Sequence, residues 1–385
     1  MSSSLDVTVA ADFSSRQLIL MNPGPVNTDD RVRAALAGPD LCHREPEFSD
    51  LMTRVRRKVV QISGGGPEYT SVILTGSGTA AVEAIVASAV PEAGGLLILD
   101  NGHYGERFCE IAAGYSIRSH RLSFGWGIPI DLEQVDAALA ADPGLTHVAV
   151  VHHETSTGML NPVAQITAIA HRHHREVIVD AISSVGAEDI LMDRDNIDWL
   201  AGSSNKCIEG LPGLGFVCAR KTSLEALSSG LRRGYYLDLH RHYRAQAGAA
   251  APAFTPGIPA YYAFDQALDL ALEEGTDRRH SRYRELAERL RSGLACLGLQ
   301  FLLPAEQRAV ALTAIRLPAG VPYNDLHAWL KEQGFVIYTA QEQLAPTYFR
   351  LSTMGRMTAD DVDRFLAALA SFLGKKAPEH PGSAS

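Results

Sequence analysis

The chain is poor in the features that would place it in a membrane, outside the cell or around a metal. No apolar run in its 385 residues approaches the roughly 20 needed to span a bilayer. Five scattered cysteines, Cys42, Cys109, Cys207, Cys218 and Cys296, match no zinc spacing and no paired disulfide framework. They read as reduced thiols of a cytoplasmic protein. Positive charge is in deficit: the formal net charge is −9, which argues against a sequence-wide nucleic-acid footprint. The first 16 residues are polar and lack the basic-then-apolar order of a secretory leader, so none is expected. No Gly-x-Gly-x-x-Gly follows a first strand, which disfavours a dinucleotide-binding fold. Gly76 and Gly78 are not followed by Lys-Ser/Thr, so they form no P-loop. Ser203-x-x-Lys206 has the spacing of a serine acylase but lacks its Ser-Asp-Asn and Lys-Thr-Gly companions. His152-His153-Glu154 together with His171, His173 and His174 fit neither His-Glu-x-x-His nor a Cys/His finger. The last three are expected on an exposed helix, and no metal site is expected.

What is present is a repeated strand-then-helix pattern. Apolar runs at 72–75, 96–100, 147–151, 177–181 and 215–219 read as strands, with helical stretches between most of them. This predicts an α/β fold with a mostly parallel sheet flanked by helices. From about residue 276 the order becomes helix, strand, helix, strand, helix, with helices at 283–297, 324–333 and 362–372 and a strand at 310–317. The expected organisation is therefore a loose segment 1–15, a large domain 16–275, a smaller α+β domain 276–374 and a loose tail 375–385. The start of the large domain is allowed to pack on the small one. Further helices are expected at 49–63 and 260–275.

In parallel sheets ligands sit at the carboxyl ends of strands. The loops there, 76–79, 101–106, 152–158, 180–184 and 203–206, carry the chemistry. Lys206 lies between small residues and the turn Gly210-Leu211-Pro212-Gly213. A lysine in such a turn can lose solvent and have its ammonium disfavoured, which suits covalent work by an amine. Asp180 closes an apolar strand, where a carboxylate can hold a protonated heterocyclic nitrogen. The two roles together describe a pyridoxal phosphate site. Taken singly, each is equally an ordinary loop lysine or strand-end aspartate. Ser77, Gly78 and Thr79 open a helix after a strand, a geometry that lets amides and hydroxyls approach an anion. Tyr104 stands where an aromatic could stack on a flat ligand. Asn22-Pro23-Gly24-Pro25 is a stiff turn with backbone N–H groups free for a substrate, and Arg350 lies inside an apolar stretch and needs an anion. Arg232, Arg233, Arg241 and Arg244 read as a basic face.

The run Ser204-Asn205-Lys206-Cys207-Ile208-Glu209-Gly210-Leu211-Pro212-Gly213, with Val151–Gly158 and Asp180–Ser184, resembles the class V, fold type I pyridoxal phosphate-dependent aminotransferases. More narrowly it is similar to the 2-aminoethylphosphonate:pyruvate transaminases, from Asn22 to Arg350. The resemblance implies that Lys206 is the Schiff-base lysine and the proton carrier, and that Asp180 partners the pyridine nitrogen. It places Ser77, Gly78, Thr79 and Ser203 on the cofactor phosphate, with Thr255 joining from the other subunit of a homodimer. Tyr104 stacks on the ring and Thr155 reaches the ring hydroxyl. Asn22, Gly24, Arg350 and Arg44 are expected on the substrate side. Two stretches depart from the narrower pattern. His43-Arg44-Glu45-Pro46-Glu47-Phe48 is more like the alanine–glyoxylate and serine transaminases than like a Trp-Asp-Asp turn. Phe254-Thr255-Pro256-Gly257 differs from Thr-Pro-Pro-Thr-His. Alternatives are therefore alanine–glyoxylate or serine–pyruvate transamination, a lyase on the same scaffold and, outside enzymes, an α/β binding protein.

Overall fold

A computed structural model describes residues 18–230, 232–375 and 377–378. The segments expected to be loose, 1–15 and all but the start of 375–385, lie outside the described residues. Seven strands form one sheet: β1 (Tyr69–Thr75), β2 (Gly95–Asp100), β3 (Ser119–Ser123), β4 (Leu145–Val151), β5 (Glu176–Asp180), β6 (Trp199–Ser203) and β7 (Leu214–Arg220). Their order is β1-β7-β6-β5-β4-β2-β3. Only β7 runs antiparallel to its neighbours, β1 and β6; the other pairings are parallel. The fold is α/β, as expected.

Both faces of this sheet are covered, which is why its strands read as unbroken apolar runs rather than alternating ones. Val148 and Val150 of β4 join an apolar cluster on one face, with the helices α1 (Pro46–Ile62) and α4 (Ile258–Glu274). Ala149 and Val151 join the cluster on the other, with α2 (Gly78–Ala89) and α3 (His103–Gly114). In α1 the buried residues Phe48, Leu51, Met52, Val55, Val59 and Ile62 recur at helical spacing. This helix begins at Pro46, earlier than the expected 49, because proline is well suited to a first turn whose N–H has no partner.

A second, three-stranded antiparallel sheet holds β8 (Leu312–Arg316), β9 (Tyr338–Thr339) and β10 (Tyr348–Ser352) in the order β8-β10-β9. It packs with α5 (Thr276–Cys296) and α6 (Ala359–Phe372) around Leu290, Leu294, Phe349, Leu351, Phe365 and Leu366. Ile19–Leu20 pairs in parallel with Phe335–Val336, which brings the N-terminal stretch onto these elements. α5 starts at Thr276, well before the expected 283. The first seven residues, Thr276 to Arg282, contain nothing apolar, and their inward position is taken by Arg279, 2% exposed. Among the described residues no helix is long and apolar enough to cross a membrane.

β6 delivers the lysine loop, and Gly202 is where it has no room to spare. A Cβ there would lie 2.1 Å from the Phe216 ring, itself stacked on Phe264. Gly202→Ala is expected to cost about 1–3 kcal/mol through overpacking. A lowered thermal midpoint checks this, and an unchanged one would show that the ring can yield.

Candidate active site

The loops at the carboxyl ends of β1, β4, β5 and β6 close on a cavity of about 170 Å³. Its wall includes Ser77, Gly78, Thr79, Tyr104, Thr155, Asp180, Ser203 and Lys206, together with Arg107, His153, Ile182, Ser183 and Asn205. A larger hollow of about 800 Å³ lies against residues 297–300 and 316–322. Among the described residues its charged lining is Arg316 and Lys375, with no carboxylate beside them. The smaller cavity is the one that brings a lysine and a buried carboxylate together at the strand ends.

Lys206 stands half-buried beneath the Asn22–Pro25 turn, and its Nζ donates to the Pro23 carbonyl. Gly24 adopts φ +113, and a Cβ added there would meet Lys206 Nζ at 2.6 Å and Cδ at 2.8 Å. Glycine is required here both for the backbone and for the space. The Asn22 side-chain amide donates to the Pro25 carbonyl at 2.8 Å and closes the turn. Burial pushes the Lys206 ammonium down to about 8, and the nearby Arg350 and Arg107 guanidiniums add to the effect while Cys207 and Asp180 oppose it. An amine with this value is largely unprotonated at mildly alkaline pH.

Asp180, 3% exposed, accepts from the Ile182 N–H at 3.0 Å and forms an ion pair with Arg107. Arg107 also donates to Thr79 Oγ1 at 2.8 Å, and its guanidinium carbon sits 4.8 Å from the Tyr104 ring centre. This arginine is missing from the sequence reading. The available signal was spacing: Tyr104 and Arg107 are three apart on α3, hence on one face.

The helix that carries both is held by Glu154. Its fully buried carboxylate accepts from the N–H groups of Tyr104 at 3.2 Å, Gly105 at 3.1 Å and Ser156 at 3.1 Å, and from the Ser156 hydroxyl at 2.5 Å. α3 has no side-chain cap of its own, so this distant anion takes the positive helix end. Burial raises the Glu154 carboxyl while these donors pull the other way. His153 Nδ1 donates to the Ser183 carbonyl at 3.0 Å, and burial pushes the imidazole down to about 3 and that of His152 to about 4. Both rings are therefore neutral. Among the other histidines weighed for metal, His171 contacts Asp198 at 2.8 Å and His173 contacts Asp136 at 2.9 Å, so neither is simply solvated as expected.

Ser77 precedes α2 with extended backbone and makes no capping bond with its side chain. Gly78 is pressed so closely that a Cβ would meet Ile182 Cδ1 at 2.6 Å and Ser203 Cβ at 3.1 Å. The Ser203 hydroxyl donates to Asn205 Oδ1 at 2.5 Å, and Thr155 Oγ1 lies 3.4 Å from Ser183 Oγ. Arg350 is 4% exposed. It donates through Nε to Thr339 O at 3.1 Å and through Nη1 to Thr155 O at 3.1 Å and Gln341 Oε1 at 3.3 Å, and among the described residues it makes no ion pair. Arg44 and Thr255 are exposed and lie outside the cavity wall. Of the basic segment, Arg233 donates to the Ala87 and Val90 carbonyls at 3.0 and 2.6 Å, which ties it to the end of α2.

The Gly24 contact makes a prediction. Gly24→Ala strains the turn and drives a methyl into the lysine. Reaction of the Lys206 amine with an added small aldehyde should then be lost in a protein that still folds. Unchanged reactivity would separate the turn from the site.

The profile of the family described as aminotransferase class-V matches residues 33–365. The chain is 38% identical over 358 residues to a 2-aminoethylphosphonate–pyruvate transaminase of Vibrio vulnificus, covering 92% of this chain and 97% of that protein. It is 38% identical to the protein of the same name from Syntrophobacter fumaroxidans, over 92% and 96%. Among solved structures, the ureidoglycine–glyoxylate aminotransferase of Bacillus subtilis superposes with a TM-score of 0.89 at 25% identity, covering 97% of each chain. The alanine–glyoxylate aminotransferase of Nostoc gives 0.88 at 26% identity, over 94% and 97%. With a family match across most of its length, and the cavity described above at the strand ends, the chain belongs to the class V aminotransferases.

Proposed function

We propose that the protein is a pyridoxal 5′-phosphate-dependent transaminase that moves the amine of 2-aminoethylphosphonate to pyruvate, yielding phosphonoacetaldehyde and L-alanine. The observation that carries this reading is the meeting, in one cavity, of an amine held near pKa 8 and a buried carboxylate, Lys206 and Asp180. Full-length similarity to transaminases of that name supports the substrate. The residues present fit the cofactor. Gly78 leaves a cradle that any side chain would fill, the adjacent Ser77 hydroxyl is not used as a cap, and Tyr104 offers a flat face beside them.

When bound, pyridoxal phosphate supplies a ring that draws electrons out of a C–H bond next to nitrogen. The chain supplies the rest. Lys206 Nζ would hold the cofactor covalently and, once free as an amine, would carry the proton away from the amine-bearing carbon of the substrate rather than give it back to that carbon. Asp180 would keep a proton on the ring nitrogen, Tyr104 would cover the ring and Thr155 would reach its hydroxyl. Ser77, Gly78, Thr79 and Ser203 would hold the phosphate, with Thr255 joining from the second copy of a two-fold dimer. Asn22 and Gly24 roof the lysine and exclude water from it. Arg350 binds the phosphonate of one substrate and the carboxylate of the other, since its planar fork suits both anions. Arg44, exposed in the single chain, would act on a substrate only across the dimer interface. Residues up to 275 would form the cofactor domain, apart from the N-terminal stretch that pairs with Phe335–Val336, and 276–374 the smaller domain; the five free thiols suit the cytoplasm.

Alanine–glyoxylate transfer is the second reading, favoured by the His43–Phe48 turn. Mixing the loaded enzyme with single amines decides between them, because transfer to the cofactor changes its visible absorption without any acceptor. Conversion by 2-aminoethylphosphonate should outrun that by alanine; the reverse order would overturn the phosphonate assignment. Two substitutions test the roles. Asp180→Asn should keep cofactor bound and cost at least about 10²-fold in turnover; near-normal turnover would remove its role. Arg350→Ala, losing a charge-assisted contact of about 1.5–3 kcal/mol, should weaken both substrates roughly 10- to 100-fold with cofactor loading intact.

A further inference from the structure

The loop that carries Lys206 contains a residue whose backbone only outside support can hold. Glu209 adopts φ +66, in the left-handed region that L side chains rarely occupy, while its N–H closes a turn onto the Lys206 carbonyl at 2.8 Å. Its carboxylate faces the first turns of α5. Glu209 Oε1 accepts from the Tyr283 hydroxyl at 2.8 Å and from Arg282 Nη2 at 2.8 Å, and lies 3.1 Å from Arg279 Nη2. The same Arg279 nitrogen donates to the Cys207 carbonyl at 2.7 Å, next to the lysine. Glu274 completes the neutralisation, 2.7 Å from Arg279 Nη1 and 2.6 Å from Arg282 Nε.

The second half of this node reaches the roof of the lysine. The Tyr283 oxygen that donates to Glu209 also accepts from the Gly355 N–H at 3.0 Å. Gly355 is packed against Asn27 so tightly that a Cβ would lie 2.6 Å from the Asn27 carbonyl oxygen, and the next residue, Arg356, donates its N–H to that oxygen at 2.7 Å. The Asn27 side chain in turn holds Leu20 by two bonds of 3.0 Å, one to its carbonyl and one from its N–H. Leu20 and Asn27 bracket the Asn22–Pro25 turn whose Pro23 carbonyl takes the Lys206 amine. The chain from Lys206 through Glu209, Tyr283, Gly355 and Asn27 to Pro23 is therefore a closed circuit.

We propose that Tyr283 and Arg279 are positioning residues for the Lys206 amine: one node on α5 holds both the loop that carries the lysine and the turn that covers it. This rests on reading Lys206 as the reactive amine. If the node loosens, loop and roof part, water reaches the amine, and the ammonium is no longer disfavoured. Of the groups that act on the amine directly, Asp180, Arg107 and Arg350 make no hydrogen bond to the node, whereas Cys207 touches it through its backbone carbonyl.

The test is competitive trace acetylation of the full-length, cofactor-free protein across pH, with the Lys206 peptide quantified by mass spectrometry against the exposed Lys331. The variants are Tyr283→Phe, which removes one oxygen, and Glu209→Gly, which removes the carboxylate while relieving the left-handed backbone. The wild-type amine should titrate at about 8. In both variants the midpoint should rise by at least about half a unit, a roughly threefold loss of reactivity at pH 7.5. A merely structural role would lower the thermal midpoint and leave the profile unmoved, and that result would overturn the proposal. Should Tyr283→Phe fold poorly, Glu209→Gly still decides. Attachment of the cofactor to another lysine would remove the functional reading while leaving this titration interpretable, so the two can fail separately.

Discussion

An amine kept from water at the end of a sheet is the constraint on which the rest of this structure depends. Lowering the Lys206 ammonium from its ordinary value to about 8 corresponds to about 3 kcal/mol of lost solvation that the fold must tolerate. The sign is informative. A base with a depressed folded-state value binds fewer protons folded than unfolded, so this cost is full below about pH 8 and disappears as pH rises past the ordinary lysine value. The fold accepts the cost through the Asn22–Pro25 turn, which leaves only a carbonyl for the amine, and through a glycine at 24 that no other residue could replace without touching it.

Around that amine the polar groups are fixed by partners both behind the cavity and in its wall. Glu154 secures the helix bearing Tyr104 and Arg107, and the Ile182 amide and Arg107 secure the Asp180 carboxylate. Glu154 and Asp180 are buried carboxylates with partners supplied, which is what makes a low-dielectric site rigid rather than costly. Arg350 differs. Its partners include a carboxamide, the Tyr104 hydroxyl and backbone carbonyls, and among the described residues no carboxylate pairs with it, so its fork has affinity to spare for an anion.

Much of this was legible in the sequence because strand ends in parallel sheets are where ligands go, and the loops at those ends were short and rich in small residues. Lys206, Asp180, Tyr104 and the 77–79 turn came from that rule, Thr155 and Ser203 from the family resemblance, and the structure brings them to one cavity. What escaped depended on partners distant in sequence. Arg107 is an ordinary helix residue until Asp180, distant in sequence, folds onto it. The start of α5 was missed because its inward face is an arginine paired with two glutamates, and apolar periodicity cannot register a buried ion pair. His171 and His173 were read as solvated because their carboxylate partners, Asp198 and Asp136, lie on other elements. Arg44 and Thr255 point to the converse limit: the single chain leaves them exposed and outside the cavity wall.

The central claim is that this cavity is built around Lys206 as the amine that binds the cofactor. Borohydride reduction of the protein loaded with pyridoxal phosphate, followed by peptide mass mapping, tests it most directly. The account predicts a phosphopyridoxyl group on Lys206 alone; a group on Lys221 or Lys331 instead would contradict it.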